Sequence, residues 1–256
     1  MIDASCFALA ADPAVEYREI GDDKHKVVIV DGFYREPERV AELANTLEFS
    51  SAPDLVQQFP GERAEVEADT AHLARAVWHY FGRVGDPSTS HFPFCVSRYR
   101  GGRVLEPRQR LPHFDPTLTA LVYLNSPDDC AGGTAMYRHR SSGLELIPLT
   151  PEASTVQLAQ SMGYRVADFQ QLGYPVIIER MLFNERFAPA GNRTLNEGNH
   201  VWELMTLVEM RFNRLVIYDG RIPHGMWVEP AWFVRTPRVY QLLSLSLDHD
   251  SAVVAA

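Results

Sequence analysis

Two segments in the first third of the chain carry apolar residues at intervals of three and four, the period of an amphipathic helix. They span Pro37–Phe49 and Ala71–Phe81. Proline at the start favours the first helix, and Gly82 favours a stop after the second. A β-branched run at Lys26–Val30, closed by Asp31-Gly32, predicts a strand before both helices. We expect the two helices to cover one face of a sheet.

From Phe94 onward the pattern changes to short apolar runs separated by turn residues. Turn chemistry at Asn125–Asp129 and at Gly132-Gly133 separates two of these runs, and Phe212-Asn213 predicts a hairpin between two others. Several short strands with such turns favour a sandwich or double-sheet barrel over alternating βαβ units. The predicted strands are Cys95–Tyr99, Leu118–Leu124, Thr134–Tyr137, Glu203–Met210, Leu215–Tyr218 and Arg238–Leu247.

The segment at about 140–199 interrupts this rhythm. It contains a weakly helical pattern at Glu152–Met162 and no clear strand. So long an excursion indicates a lid or an insertion, and we favour an insertion beside the functional site. We therefore expect a single domain over 1–256, in which 1–93 support a β core at 94–248.

The candidate chemistry centres on His113-Phe114-Asp115 and His224. In extended backbone, His113 and Asp115 project to one face and Phe114 to the other. His224 follows an apolar strand and can reach the same point from a separate strand end. Two imidazoles and a carboxylate can bind divalent iron on one side and leave three coordination positions open. Taken singly, His-x-Asp can also be a surface pairing, and the second histidine can be a loop residue.

Arg238 opens the last predicted strand, where Arg238, Tyr240 and Leu242 share one face. The arginine is either a rim residue or an inward-facing charge. A buried unpaired charge is costly, but a bound dicarboxylate would neutralise it through a bidentate pair. Tyr99, on the strand before the His-x-Asp segment, can donate a hydrogen bond to the same acid or can be an ordinary core tyrosine.

Composition narrows the classes of partner. Hydrophobic residues make up 46% and charged residues 22%, as in ordinary globular proteins, and the net charge of -9 argues against binding to nucleic acid. The three cysteines have no CxxC spacing, which favours reduced thiols over a disulfide framework or a thiolate zinc site. The amino terminus lacks a basic secretion signal, and no apolar run is long enough for a bilayer. We expect a cytoplasmic protein without a membrane partner.

Several short stretches follow one another in a recognisable order. They are Ser97–Gly102, His113–Asp115, Leu118–Asn125 followed by Gly132–Thr134, and Asn213–Tyr218 leading to His224. Together they resemble the prolyl 4-hydroxylase-like branch of the 2-oxoglutarate and Fe(II)-dependent dioxygenases, and within it an uncharacterised bacterial subgroup. Arg238 occupies the position of that branch's basic residue that binds the co-substrate. The resemblance covers about residues 94–248 and is interrupted after Arg140.

The resemblance implies a double-stranded β-helix, or jelly roll, with the metal at its open mouth, and we expect the two amino-terminal helices to pack on one of its sheets. It implies His113, Asp115 and His224 as iron ligands, Arg238 bound to the far carboxylate of 2-oxoglutarate, and Tyr99 assisting. The reaction would use dioxygen to oxidise an unidentified small-molecule or peptidyl substrate while 2-oxoglutarate is decarboxylated to succinate. Two other interpretations stay open: a cupin-type metal enzyme with different chemistry, and a non-catalytic jelly roll that binds a metal or ligand. The oligomeric state is also open, with a homodimer as one option.

Overall fold

Two antiparallel β-sheets form the centre of the protein in a computed structural model that describes residues 4–50, 59–83 and 93–246. The strands of the described residues are Ala14–Ile20 (β1), His25–Asp31 (β2), Glu62–Val66 (β3), Phe94–Tyr99 (β4), Thr117–Tyr123 (β5), Gly133–His139 (β6), Trp202–Glu209 (β7), Arg214–Asp219 (β8), His224–Trp227 (β9) and Arg238–Ser246 (β10). The helices are Pro37–Thr46 (α1), Ala71–Phe81 (α2), Ala153–Ser161 (α3), Val166–Leu172 (α4) and Tyr174–Leu182 (α5). None of these helices is long and apolar enough to cross a bilayer.

The path of the chain between the sheets determines which residues meet. The larger sheet has seven strands in the order β1-β2-β8-β5-β10-β4-β3, and the smaller has three in the order β7-β6-β9. After β4 the chain passes through His113, which bridges to β9, and returns to the larger sheet as β5. It then forms β6 and β7 in the smaller sheet, β8 in the larger, β9 in the smaller and β10 in the larger. Segments far apart in sequence therefore line one space between the sheets.

Helices α1 and α2 cover the outer face of the larger sheet, as predicted. The buried stripe of α2 packs with alternate residues of β2, β4, β5, β8 and β10 in one apolar cluster. The helix has its predicted bounds, Ala71–Phe81, and Gly82 caps its carboxyl end with a left-handed φ of 78°. Helix α1 ends at Thr46, three residues before its predicted end, because Leu47 adopts extended backbone. Burial of these two apolar stripes holds the amino-terminal part of the chain to the sheet.

The segment at 140–199 is helical where it is regular, and it covers the other side of the molecule. The weakly helical pattern at Glu152–Met162 forms α3. Helix α5 buries Ile177, Ile178 and Met181 in a cluster with Trp202 at the start of β7. The protein thus has four layers, in which helices cover the outer face of each sheet.

Every strand predicted from the sequence is present within one or two residues of its predicted ends, although Leu247 lies outside the described residues. Three strands were missed. Strand β1 is a mostly exposed edge strand, β3 is the opposite edge, and β9 has four residues, so none of them carries a strong apolar signal. An edge strand pairs with one neighbouring strand instead of two, and charged residues are common in such strands.

The predicted hairpin at Phe212-Asn213 is wrong. Strands β7 and β8 lie in different sheets, so this connection crosses between them. Asn213 has a left-handed φ of 60°, and its carbonyl accepts the N–H groups of Gly32 and Phe33. Its side-chain oxygen accepts the N–H of Tyr34 at 2.8 Å. The sequence pattern of a tight turn was present, but the turn is fixed by hydrogen bonds to the loop after β2.

Adjacent strands β2 and β8 are joined by a bidentate ion pair. Arg214 donates from Nε to one oxygen of Asp31 at 2.6 Å and from Nη2 to the other at 2.7 Å. This hydrogen-bonded arginine lowers the pKa of Asp31 against the opposing effect of burial. The arginine is nearly buried, whereas the Asp31 carboxylate is 39% exposed, so solvent screens part of the attraction.

We expect Asp31→Asn to lower the free energy of unfolding at pH 7, because it removes the charge that pairs with a buried guanidinium. A carboxyl whose folded pKa is lowered stabilises the protein above its ordinary pKa of about 3.9 and loses that effect as the pH falls through the folded value. The difference between wild type and variant should therefore shrink at acidic pH. Urea unfolding of both proteins, from pH 7 to the lowest pH at which both fold, measures it. A difference that does not change with pH would contradict the assignment.

Candidate metal centre

His113 and His224 are held side by side by their own backbone. The N–H of each donates to the carbonyl of the other at 2.8 Å, which joins the segment before β5 to the first residue of β9. The imidazole ring centroids are consequently 4.3 Å apart. Residues separated by more than a hundred positions thus present their side chains at one end of the space between the sheets.

Asp115 is positioned by the turn that follows β8. Its N–H donates to the carbonyl of Gly220 at 2.8 Å, and the N–H of Gly220 donates to the carbonyl of Thr117 at 2.8 Å. A Cβ at Gly220 would lie 2.5 Å from the Thr117 carbonyl oxygen, so glycine is needed for this close approach. Phe114 points away from the cavity, as its alternation predicts, and stacks near Phe183 with ring centroids 5.6 Å apart.

The three side chains direct potential metal-binding atoms toward one point. Oδ2 of Asp115 lies 3.5 Å from Nε2 of His224 and 4.0 Å from Nε2 of His113. Nδ1 of His224 lies 2.8 Å from the carbonyl oxygen of Ile222. A carbonyl can only accept, so Nδ1 carries a proton and Nε2 is the atom that can bind a metal. Two imidazole nitrogens and a carboxylate oxygen around one point are a set of ligands that fits a divalent metal.

The ionisation of these groups suits metal binding. Burial, followed by the adjacent His224, lowers the pKa of His113 to about 4. Burial opposes the charged form of Asp115, but the hydrogen bond with His224 and the nearby His113 and Arg63 outweigh it and hold the pKa of Asp115 well below its usual range. At neutral pH the site therefore presents a neutral imidazole at His113 and a charged carboxylate, the forms that bind metals.

A cavity of about 890 Å³, measured out to its open mouth, lies beside the three side chains. Alternate residues of β5, β8 and β10 supply one wall, as the period of two requires. Thr194 and Leu195, from the segment predicted to be an insertion beside the site, line the cavity as well. The residues of the larger sheet that line it include Thr119, Leu121, Tyr218, Arg238, Tyr240 and Leu242.

Arg238 faces inward, so the rim interpretation is wrong. The residue is 2% exposed, and its guanidinium carbon lies 4.7 Å from the ring centroid of Tyr240 and 5.4 Å from that of Tyr123. Its Nε has no hydrogen-bond partner, and no carboxylate of the described residues forms an ion pair with it. Strand β10 runs antiparallel to β5, which places Arg238 at the Tyr123 end, away from Asp115. A buried guanidinium left in this state can receive an anion.

Tyr99 is the direct cross-strand neighbour of Arg238 on β4, and it is 1% exposed. It does not line the cavity, whereas Tyr137, Tyr218 and Tyr240 do. Burial raises the pKa of Tyr99. Sequence reasoning missed Arg63, which also lines the cavity, because β3 was not predicted as a strand and its alternation was therefore not considered.

A second group of potential ligands, Asp23, His25 and Glu145, has an evident structural role. The buried carboxylate of Glu145 accepts the N–H groups of Asp22 and Asp23 at 2.9 and 3.2 Å and contacts Arg138 at 3.3 Å. These bonds fix the turn between β1 and β2 to the segment after β6. Both carboxylate oxygens of Glu145 already accept hydrogen bonds from the backbone.

The sequence matches one described protein family. Residues 11–184 match the family described as "Family of unknown function (DUF6445)". The chain belongs to this family. No curated protein matches the sequence of this DUF6445 member at a significant level.

Solved structures similar to this DUF6445 member include the following three proteins. HygX from Streptomyces hygroscopicus with nickel and 2-oxoglutarate bound is 13% identical, with 86% of this chain and 82% of that chain covered and a TM-score of 0.39. An N-substituted L-amino acid dioxygenase from Burkholderia ambifaria is 12% identical, with coverage of 94% and 98% and a TM-score of 0.36. The non-heme alpha ketoglutarate-dependent carbocyclase SnoK is 13% identical, with coverage of 88% and 81% and a TM-score of 0.36.

The pKa of His113 can be checked directly. We expect its imidazole in the metal-free protein to stay neutral well below its usual pKa of about 6.5, because burial disfavours the charged ring. A pH titration followed by ¹H–¹⁵N NMR of the imidazole nitrogens, with the signals assigned by His113→Gln, should show no protonation of this ring above about pH 5. A titration midpoint near the usual value would contradict this expectation.

Proposed function

We propose that this protein is an Fe(II)- and 2-oxoglutarate-dependent oxygenase. One observation carries the proposal: three side chains of the kinds that bind metals line the same cavity as a buried arginine that has no carboxylate partner among the described residues. A metal site alone would fit many reactions. The buried arginine favours an anionic ligand as well. A dicarboxylic keto acid can bind the metal at one end and the arginine at the other.

The path of the chain supports a double-stranded β-helix as the fold of residues 94–246. Strands β4, β5, β8 and β10 belong to the larger sheet. Between them the chain enters the smaller sheet three times: at the bridging segment of His113, at β6 and β7, and at β9. A jelly roll winds in this way, with facing sheets around a cavity, so the order of the strands supports that fold. Fold alone does not establish an activity, so the proposal depends on the residues of the cavity.

Each residue has a definite part in the proposal. His113, Asp115 and His224 would hold Fe(II), and the carbonyl of Ile222 keeps the His224 ring in the tautomer that binds a metal through Nε2. Arg238 would bind the far carboxylate of 2-oxoglutarate. Tyr99 lies on β4 directly opposite Arg238, and we propose that it helps to hold the arginine in position.

The bound metal and 2-oxoglutarate would supply oxidation by dioxygen, coupled to release of carbon dioxide and formation of succinate. The chain's own contribution is orientation and exclusion of water. Leu121, Leu242 and Met226 give the cavity apolar walls, as in most small-molecule sites.

Removal of one proposed ligand should abolish the metal-dependent signal. We expect anaerobic protein with Fe(II) and 2-oxoglutarate to show the weak visible charge-transfer band of a chelated keto acid, and His113→Ala to lack it, because two remaining ligands do not hold the keto acid complex. Visible absorption and succinate formation in air measure the two effects. Absence of the band in folded, metal-loaded wild-type protein would refute the proposal in favour of a cupin-type enzyme or a binding protein.

Removal of the arginine should separate metal binding from co-substrate binding. We expect Arg238→Gln to bind Fe(II) as wild type does but to need about 10-fold or more 2-oxoglutarate for half-saturation, since a charged hydrogen bond contributes roughly 1.5–3 kcal/mol. Titration of the charge-transfer band measures this concentration. The matched control is Arg98→Gln, because Arg98 lies on the neighbouring strand β4, where it pairs with Glu62 and covers the Phe49 ring away from the cavity. Equal affinity in Arg238→Gln and wild type would exclude this role for Arg238.

A further inference from the structure

The cavity contains more positive charge than the proposed co-substrate needs. Among the described residues, the charged side chains that line it are the guanidinium groups of Arg63, Arg110 and Arg238 and the carboxylate of Asp115. The chain as a whole has a net charge of -9, so this cationic lining is opposite in sign to the rest of the protein. Low-dielectric walls strengthen such a local excess of charge.

Simple charge balance identifies which arginines are left over. A divalent metal and Arg238 together carry three positive charges, and Asp115 and doubly charged 2-oxoglutarate carry three negative charges. The proposed complex is therefore neutral without Arg63 and Arg110. Charged groups are costly in a partly buried cavity unless they are paired, so the remaining arginines create a demand for another anion.

Arg110 is partly committed to the structure. Its Nη1 donates to the carbonyl of Pro189 at 2.9 Å and to that of Gly191. Its own carbonyl accepts the N–H of Leu195 at 2.8 Å. These bonds attach the segment before β7 to the loop that carries His113. The main task of this guanidinium is thus to hold one wall of the cavity in place.

Arg63 has no such commitment within the described residues. It lies on β3, opposite Ser97 of β4, which in turn lies opposite Tyr240 of β10, so these side chains form a row on the cavity face of the sheet. Its Nε is buried without a hydrogen-bond partner, and its guanidinium carbon lies 5.9 Å from the ring centroid of Phe59. No carboxylate of the described chain forms an ion pair with it.

Arg63 and Arg238 enter the cavity from different strands. The row that contains Arg63 crosses β10 at Tyr240, whereas Arg238 lies two residues further along β10, away from the Asp115 end. Arg63 itself lies on the edge strand β3, which β4 separates from β10. Both arginines line the cavity that also contains His113 and Asp115. The two guanidinium groups therefore occupy different positions around one cavity, and Arg63 is available for a second molecule bound beside the co-substrate.

We propose that Arg63 binds a carboxylate group of the substrate, so that the substrate is a small organic acid and not a neutral or cationic molecule. This inference rests on the proposed function, because it assigns the co-substrate to Arg238. A guanidinium donates two parallel hydrogen bonds to a carboxylate, and the adjacent Phe59 and Tyr240 rings would contact the apolar part of such an acid.

The test compares acids with their uncharged counterparts. Protein saturated with Ni(II) and excess 2-oxoglutarate is titrated calorimetrically with 3-phenylpropanoate and N-acetylglycine, and separately with the corresponding primary amides. We expect at least one acid to bind about 10-fold or more tightly than its amide, because only the acid pairs with Arg63. Acids and amides that bind alike, or that both fail to bind, would overturn the inference.

Variants of Arg63 then locate the effect. We expect Arg63→Gln to remove the preference for the acid, Arg63→Lys to keep part of it, and the control Arg98→Gln to leave it unchanged. The 2-oxoglutarate concentration for half-saturation should stay within about threefold of wild type in all three variants. An unchanged acid affinity in Arg63→Gln would overturn the inference. Because Arg63 has no ion pair in the described chain, we expect this variant to fold, and Arg63→Lys serves if it does not.

The outcomes also separate this inference from the proposed function. If Arg63→Gln loses 2-oxoglutarate instead of the acid, Arg63 belongs to the co-substrate site and the inference is wrong while the oxygenase proposal stands. If wild-type protein binds no 2-oxoglutarate, the proposed function fails. The same acid and amide titrations of protein loaded with Ni(II) alone then decide whether Arg63 binds a carboxylate.

Discussion

The reciprocal backbone hydrogen bonds between His113 and His224 are the contact on which the candidate site depends. They connect the segment before β5 to β9, and so close one end of the space between the sheets. The same two bonds set the distance between the imidazoles, because each side chain leaves from a paired residue. Closure of the sandwich and assembly of the ligand cluster are therefore one structural event. The backbone holds the geometry, and the side chains need only the correct rotamers.

The layers on either side keep this contact in place. Helices α1 and α2 bury the outer face of the larger sheet, which fixes β5, β8 and β10 relative to one another. On the other side, Phe114 contacts Phe183, and Arg108 pairs with Glu179 of α5. The loop that carries His113 and Asp115 is thus attached to the helical segment after β6. That segment therefore packs against the outer side of the loop and also lines the cavity.

The charge inside the cavity is opposite in sign to that of the chain as a whole. The chain has a net charge of -9, whereas the cavity contains the guanidinium groups of Arg63 and Arg238, which form no ion pair with a described residue, beside the potential metal ligands His113, Asp115 and His224. Unpaired charge is unfavourable in a partly buried space. Anions beside the arginines and a cation at the three ligands would relieve it. Complementary unsatisfied charge is the physical reason that the cavity is better explained by ligands than by packing.

The sequence by itself determined the elements whose signal is local. Periodicity predicts both amino-terminal helices and the apolar strands after Phe94, because a buried face must repeat with the period of its element. It also predicts that Phe114 points away from its two neighbours. The tertiary structure alone decided that Phe212-Asn213 crosses between sheets, that Arg238 is buried and that Arg63 lines the cavity with it. These facts depend on which strands are neighbours, and β3 and β9 are too short or too exposed to be read from their residues. Pairing between strands is a long-range property, and a single sequence does not encode it in any local pattern.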